Sequence, residues 1–314
     1  MTQPSPSDLQ AIVETALESA RDCLGKGQVA TYIPALACEA PEQLGLSVMT
    51  LDGLSSSAGD AGVPFSIQSI SKVFTLAMAL EDVGSSLWNS VGREPSGTKF
   101  NSIVQLESEC GKPRNPLINA GAIATTARLI AADEADKAIE RIENFMQSLA
   151  VDPSVQIDRA VAASESATGA RNRSLAHFMS AFKNLTPPVE TVLNVYFHQC
   201  ALRLSCQQLA RAGLFLANDG IDPLTGTQIV SPEHCRQINA VMMLCGHYDN
   251  SGEFAVRVGL PAKSGVGGGI LAVAPGRGTA AAWSPALNEA GTSFAGSAAL
   301  EAFSARANWS VFNG

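Results

Sequence analysis

Candidate strands stand at both ends of this chain and helical periodicity fills the span between them, so any sheet must be closed by segments far apart in sequence. Residues 46–51 and 64–68 are short strand-like runs with a Ser/Gly-rich turn between them. Residues 254–258, 269–273 and 279–283 repeat that pattern near the other end, the last two separated by Gly- and Pro-containing turns. Short turns join antiparallel neighbours, which predicts a mostly antiparallel sheet. The first helix is expected over about 7–24, where Leu9, Ile12, Val13, Ala16, Leu17 and Ala20 form one apolar stripe and Gly25 and Gly27 stop it. Further helices are expected over 131–149 and 189–204, from a Ser205 N-cap to 218–220, from Ser231-Pro232 to about Cys245, and over about 294–306. The fold class this predicts is α/β of the α+β type, a mostly antiparallel sheet flanked by helices with a helical insert. We read residues 1–314 as one domain, with 1–75 and 248–314 forming the sheet-containing part and 76–247 the mainly helical part.

Composition narrows the function classes. Apolar residues make up 46% of the chain and charged ones 16%, which fits a folded globular protein. A net charge of −8 argues against nucleic-acid and anionic-membrane partners, since both need clustered Lys and Arg. No run approaches the length of a transmembrane helix, and the polar N-terminus does not read as a secretory signal. The seven cysteines form no C-x-x-C pair and the four histidines no H-E-x-x-H, so we expect reduced thiols, a cytoplasmic location and neither metal nor cofactor.

The sharpest chemical signal is Ser69-Ile70-Ser71-Lys72, an S-x-x-K that follows a strand-like run and opens an apolar helix. Helical i, i+3 spacing places Ser69 and Lys72 on one face. A serine hydroxyl attacks only when a base takes its proton, and lysine does so only when neutral; burial and a helix N-terminus both favour the neutral amine. The same four letters also arise as a capping Ser beside a solvated Lys. A second segment, Lys263-Ser264-Gly265-Val266-Gly267-Gly268-Gly269, is similar to the Lys-Thr-Gly box that accompanies S-x-x-K in penicillin-recognising enzymes, and its glycines allow backbone N–H groups to approach a ligand. The chain has three tyrosines, Tyr32, Tyr196 and Tyr248; a phenol beside a Ser–Lys pair can shuttle a proton.

From about Ala11 to Phe303 the sequence resembles the serine-dependent glutaminases, relatives of the β-lactamase and penicillin-binding-protein fold. The resemblance rests on phrases in one order: Tyr-Ile-Pro-Ala-Leu-Ala at 32–37, Phe-Ser-Ile-Gln-Ser-Ile-Ser-Lys-Val-Phe at 65–74, Gly-Arg-Glu-Pro-Ser-Gly at 92–97, and Pro-Arg-Asn-Pro-Leu-Ile-Asn-Ala-Gly-Ala-Ile at 113–123. Ser164-Glu165, Arg171-Asn172, Tyr-Phe-His-Gln-Cys at 196–200, Cys-Gly-His-Tyr-Asp at 245–249 and the Lys-Ser-Gly-Val-Gly-Gly-Gly segment complete it. It implies an amidohydrolase acting on L-glutamine. Ser69 would be the nucleophile, Lys72 its base and Tyr248 the proton relay, with Tyr196 close to the same atoms. The N–H groups of Ser69 and Val266 would hold the oxyanion and Glu165 the substrate ammonium. Asn119, Asn172 and Tyr32 would fix the carboxylate with Gln68 nearby, and Lys263 and Ser264 would line the site. It also implies a homo-oligomer, dimer or tetramer.

Three departures stand out: Thr292 where the family usually has Asn, Asn250 for a small residue, and His247 for a common Met, which puts an ionisable ring beside the expected relay and raises the possibility of an altered pH profile. Two rival readings remain at this level. A β-lactamase or D,D-peptidase shares the two boxes, but the Tyr248-Asp249-Asn250 that mimics its Tyr-x-Asn box lies far too close to Lys263. A non-catalytic amino-acid sensor on the same fold is the other.

Overall fold

The computed structural model describes residues 5–96, 102–131 and 134–313; Gly97 of the 92–97 phrase, and Ala132 and Asp133 of the helix expected from 131, lie outside them. In chain order the helix α1 (Pro6–Ala20) leads to strands β1 (Gly45–Thr50), β2 (Ser55–Gly59) and β3 (Phe65–Ser66). Helices α2 (Ser71–Val83), α3 (Val104–Ser108), α4 (Asn119–Thr126) and α5 (Ala135–Ala150) follow, then β4 (Gln156–Ile157), α6 (Arg159–Thr168), α7 (Ala170–Ala181), α8 (Val189–Cys200), β5 (Leu202–Leu204), α9 (Cys206–Gly213), α10 (Pro232–Cys245) and α11 (Ser251–Arg257). Strands β6 (Ala262–Ser264), β7 (Gly269–Ala274) and β8 (Gly278–Trp283) and helix α12 (Phe294–Ala307) end the chain.

The main sheet runs β2-β1-β8-β7-β6, antiparallel at every pairing. It joins the two chain ends as expected: β1 lies beside β8 in a register that sets Gly45 opposite Trp283 and Thr50 opposite Gly278. Both faces are covered, and the period-two alternation of β7 shows how. Ile270, Ala272 and Ala274 pack with Leu9, Val13, Leu300 and Phe303 of α1 and α12, while Leu271 and Val273 face the larger core of the helical region. A second, three-stranded sheet, β3-β5-β4, lies under the segment that leads to Ser69.

Several expected elements differ. The helices expected over 7–24 and from Ser205 to 218–220 end at Ala20 and Gly213 and close in 3₁₀ turns, Arg21–Cys23 and Leu214–Ala217. Residues 254–257 belong to helix α11 and Val258 is its C-cap, not a strand: Phe254 and Val258 are buried and sit i, i+4 on one helical face, while Val256, which completed the apparent alternation, is 84% exposed. The helix expected over 189–204 ends at Cys200, and Leu202–Leu204 pairs between β3 and β4. The strand expected over 64–68 shrinks to Phe65–Ser66, because the chain turns at Gln68, whose φ of 50° ends any extended run. Ser205 is the N-cap of α9, in a capping box with Gln208.

Candidate active site

Ser69 occupies the middle of a 3₁₀ turn, Gln68–Ile70, that runs directly into α2. The Ser71 hydroxyl donates to Gln68 O at 2.7 Å and fixes the turn. Lys72 is the second residue of α2, i+3 from Ser69 across the junction of the 3₁₀ turn and the helix. Ser69 is 8% exposed and Lys72 1%. Lys72 Nζ donates to Asn119 Oδ1 at 2.7 Å and to Leu117 O at 3.4 Å, and lies 6.0 Å from the centroid of the Tyr196 ring. It makes no hydrogen bond to Ser69 among the described residues. Burial lowers its pKa to about 8 against the weaker pull of Glu165 and Cys200. Both acceptors are neutral carbonyls, so no hydrogen-bonded carboxylate restores the ammonium.

The loop before α4 makes this possible. Asn115 Oδ1 accepts from the N–H groups of Leu117 and Ile118, which caps the entry to α4 and holds Leu117 O and Asn119 on the lysine. Gly121 lets α4 lie against that loop, since a Cβ there would fall 1.8 Å from Asn115 O. Asn119 Nδ2 continues the chain by donating to Asn172 Oδ1 at 3.0 Å.

A cavity of about 260 Å³ opens over Ser69, and every residue expected to touch substrate borders it: Gln68, Ser69, Asn119, Glu165, Asn172, Tyr196, Tyr248 and Val266, with the 58% exposed Tyr32 at the rim. Burial pushes the Glu165 carboxyl up to about 7, opposed by a hydrogen bond from Gln68 and the charge of Lys72. Burial also raises the Tyr248 phenol to about 12, although the hydroxyls of Ser69 and Ser264 pull the other way. The glycine-rich segment abuts the backbone that leads to Ser69, because a Cβ on Gly265 would meet Ile67 O at 2.4 Å and Ser69 N at 3.3 Å. Trp283 Nε1 pins that segment through Gly267 O at 2.9 Å, and the Trp283 ring stacks on Phe65 at 5.1 Å. The N–H groups of Ser69 and Val266 carry no backbone hydrogen bond among the described residues. A second cavity of similar volume shares Tyr248 but not Ser69, and Lys72 lines neither.

Two expected lining residues stand elsewhere. Lys263 and Ser264 are fully buried on edge strand β6, behind the cavity wall. Lys263 Nζ donates to Ser264 O at 2.6 Å and Gly246 O at 3.0 Å and sits 4.3 Å from the Tyr248 ring centroid. Sequence reasoning also left Ile33, Thr168, Gly169, Arg171 and Cys200 without a role, yet all border the cavity. Thr168 was discoverable, being i+3 from Glu165 on α6.

His247 bears on the expected change in pH profile. Its ring stacks on Phe254 at 3.6 Å, is fully buried, and neither ring nitrogen has a partner. Burial, with Lys263 adding, holds its pKa well below the ordinary histidine value. That direction favours the neutral ring in the folded chain, so the pH–rate profile is expected to be the same without it. It does bear on stability: the unfolded chain takes up a proton near pH 6.5 that the folded one refuses, so this residue destabilises the fold increasingly as pH falls. His247→Met should leave the activity profile in place and raise stability by about 1–3 kcal/mol at neutral pH, more in acid, by removing the unpaired nitrogens while keeping a contact with Phe254. Thermal unfolding at pH 5 and pH 8 reads this directly, and a His247→Met variant that melts lower at both would refute it.

Fold and site together define a class: a protein of β-lactamase-like architecture in which a serine, Ser69, and a buried lysine, Lys72, lie three residues apart where a helix opens beside a cavity. Comparison with known proteins narrows the class. The family model described as Glutaminase matches residues 27–312. A protein named glutaminase from Rhizobium rhizogenes (strain K84 / ATCC BAA-868) is 57% identical over 306 residues, covering 98% of this chain and 99% of its own. A thermolabile glutaminase from Rhizobium etli (strain ATCC 51251 / DSM 11541 / JCM 21823 / NBRC 15573 / CFN 42) is 56% identical with the same coverage. Among solved structures, the probable glutaminase YbaS superposes with a TM-score of 0.94 at 40% identity, over 99% of this chain and 100% of that one. A probable glutaminase from Bacillus subtilis complexed with 6-diazo-5-oxo-L-norleucine superposes at 0.85 and 33% identity, covering 99% of each chain. The chain belongs to the glutaminase family.

Proposed function

We propose that this protein hydrolyses the side-chain amide of L-glutamine to L-glutamate and ammonia through a glutamyl ester on Ser69. The observation that carries the reading is the buried Lys72 amine, three residues from Ser69 and spent on two neutral acceptors, one of which, Asn119, lines with Ser69 and Glu165 the cavity behind which the lysine sits. A neutral amine has two N–H groups; Asn119 Oδ1 and Leu117 O accept them, which leaves its lone pair for the Ser69 proton. Ser69 Oγ then bonds to the amide carbon as Lys72 takes that proton. The N–H groups of Ser69 and Val266 receive the oxyanion. The proton passes through the Tyr248 phenol, with Tyr196 beside it, to the leaving nitrogen; the C–N bond breaks and ammonia departs. Water, deprotonated along the same route, cleaves the ester and returns the proton to Ser69.

Glutamine is zwitterionic, and a buried site must pair both ends. Glu165 takes the ammonium; Asn119, Asn172 and Tyr32, with Gln68 nearby, take the carboxylate. Lys263 and Ser264 support Tyr248 from behind. We also propose a cytoplasmic homo-oligomer, dimer or tetramer, by the family resemblance. Seven free thiols favour a reducing compartment, and no helix among the described residues is long and apolar enough to cross a membrane.

The test pairs an ammonia-release assay on glutamine and asparagine with labelling by 6-diazo-5-oxo-L-norleucine, which loses dinitrogen as it bonds to a nucleophile. Ammonia from glutamine, and a single adduct on the Ser69 peptide, is the expected result. Tight glutamine binding with no ammonia would favour a sensor instead, and an adduct elsewhere would remove Ser69 from the role.

A further inference from the structure

Three helices deliver the reacting groups: α2 carries Lys72, α4 opens with Asn119, and α8 carries Tyr196. One turn deeper, a single amide ties the same three together. Gln199 lies i+3 from Tyr196 on α8 and is completely buried. Its Oε1 accepts from the Thr126 hydroxyl of α4 at 2.8 Å, a proton shared with Ala122 O at the same distance, and its Nε2 donates to the Thr75 hydroxyl of α2 at 3.4 Å. Thr75 is itself i+3 from Lys72, and both threonines are buried. The surrounding core is apolar, with Ile123, Leu76 and Val195 from the same three helices.

Apolar contacts between helices are non-directional and tolerate small slides. An amide in that core is tolerated only when hydrogen-bonded, and a satisfied buried network favours one relative placement of the elements it joins. We infer that Gln199 is a positioning residue: the Thr75–Gln199–Thr126 bridge sets the registration of α2, α4 and α8, and through it the distance from Lys72 Nζ to Asn119 and to the Tyr196 ring. Gln199 touches no substrate atom, since it does not border the cavity. The inference rests on the Ser69–Lys72 reading above. Displacements of about an ångström in such a site cost up to about a hundredfold in rate.

The experiment compares Gln199→Met, which keeps length and removes both hydrogen bonds, with the double variant Thr75→Val/Thr126→Val, which keeps shape and removes them from the other side. Each should lower kcat about 10- to 100-fold with little change in KM, and shift the acid limb of the pH–rate profile. Combining all three substitutions should cost little more than either variant alone, because they break one network. Folding is checked by thermal unfolding; where Gln199→Met fails to fold, the double variant carries the test. Wild-type kcat and an unmoved acid limb in a folded variant would overturn the inference. Lys72→Met, run alongside, separates the two claims: its retaining activity would refute the Ser69–Lys72 reading, whereas an inactive Lys72→Met beside an unaffected Gln199→Met would refute only the positioning role.

Discussion

Ser69→Ala is expected to cut kcat for glutamine hydrolysis by roughly four to six orders of magnitude while leaving glutamine binding nearly intact. The methyl side chain fills the space of the serine without its oxygen, and the groups expected to hold the substrate ends, Glu165, Asn119 and Asn172, are on other helices. Ammonia release measures the first effect and calorimetric glutamine binding the second. A residual rate within about tenfold of wild type would remove the covalent mechanism. The pH dependence follows from the same residues. Lys72 is a base only when neutral, and its pKa is lowered to about 8, so kcat/KM should rise with pH and level off above that value. Glu165 must be ionised to pair with an ammonium, and its pKa is raised to about 7, so a second proton should act against activity below that pH. The plot therefore bends twice, falling about tenfold per pH unit between the two values and about a hundredfold per unit below the lower one.

How much of this was legible in the sequence depends on how local each feature is. Ser69 and Lys72 share one helical turn, so spacing alone placed them together. Strands β7 and β8 are buried along their whole length and were readable as short apolar runs set apart by Gly- and Pro-containing turns, not by alternation. Residues 254–258 were misread because three apolar residues two apart fit a strand as well as a helix, and only the exposure of Val256 separates the two. Glu165, Asn119 and Asn172 come from three different helices; nothing in their spacing joins them, and only the family phrases pointed there. Leu117 holds Lys72 through a backbone carbonyl, which any residue could supply. Lys263 and Ser264 sit beside the glycines of their box, yet strand pairing of β6 with β7 buries them behind the wall that Val266 forms. Gln199 reads as one more residue of an apolar helix until its amide is seen between two threonines.

Glu165→Gln should raise KM for glutamine by roughly two to three orders of magnitude with a smaller loss in kcat, because it removes the one anionic partner proposed for the substrate ammonium while keeping the shape of the side chain. Leaving a buried charge without its partner costs about 3–4 kcal/mol, and 1.4 kcal/mol is tenfold in affinity. The bend near pH 7 should vanish from the kcat/KM profile of this variant, leaving the single bend of Lys72, moved below about 8 because the Glu165 charge that raised it is gone. Stability should move the opposite way. A carboxyl whose pKa is higher folded than unfolded stabilises the fold while protonated, in acid, and that contribution is lost as pH rises through about 7. The neutral amide carries no such loss, so Glu165→Gln should melt higher than wild type at pH 8 in the absence of substrate and about equally at pH 4. Saturating glutamine should reverse the order at pH 8, since only the wild-type carboxylate gains an ion pair with the ligand. A variant that binds glutamine as tightly as wild type, or that melts lower without it, would mean that the ammonium is held elsewhere and that Glu165 is a structural carboxylate.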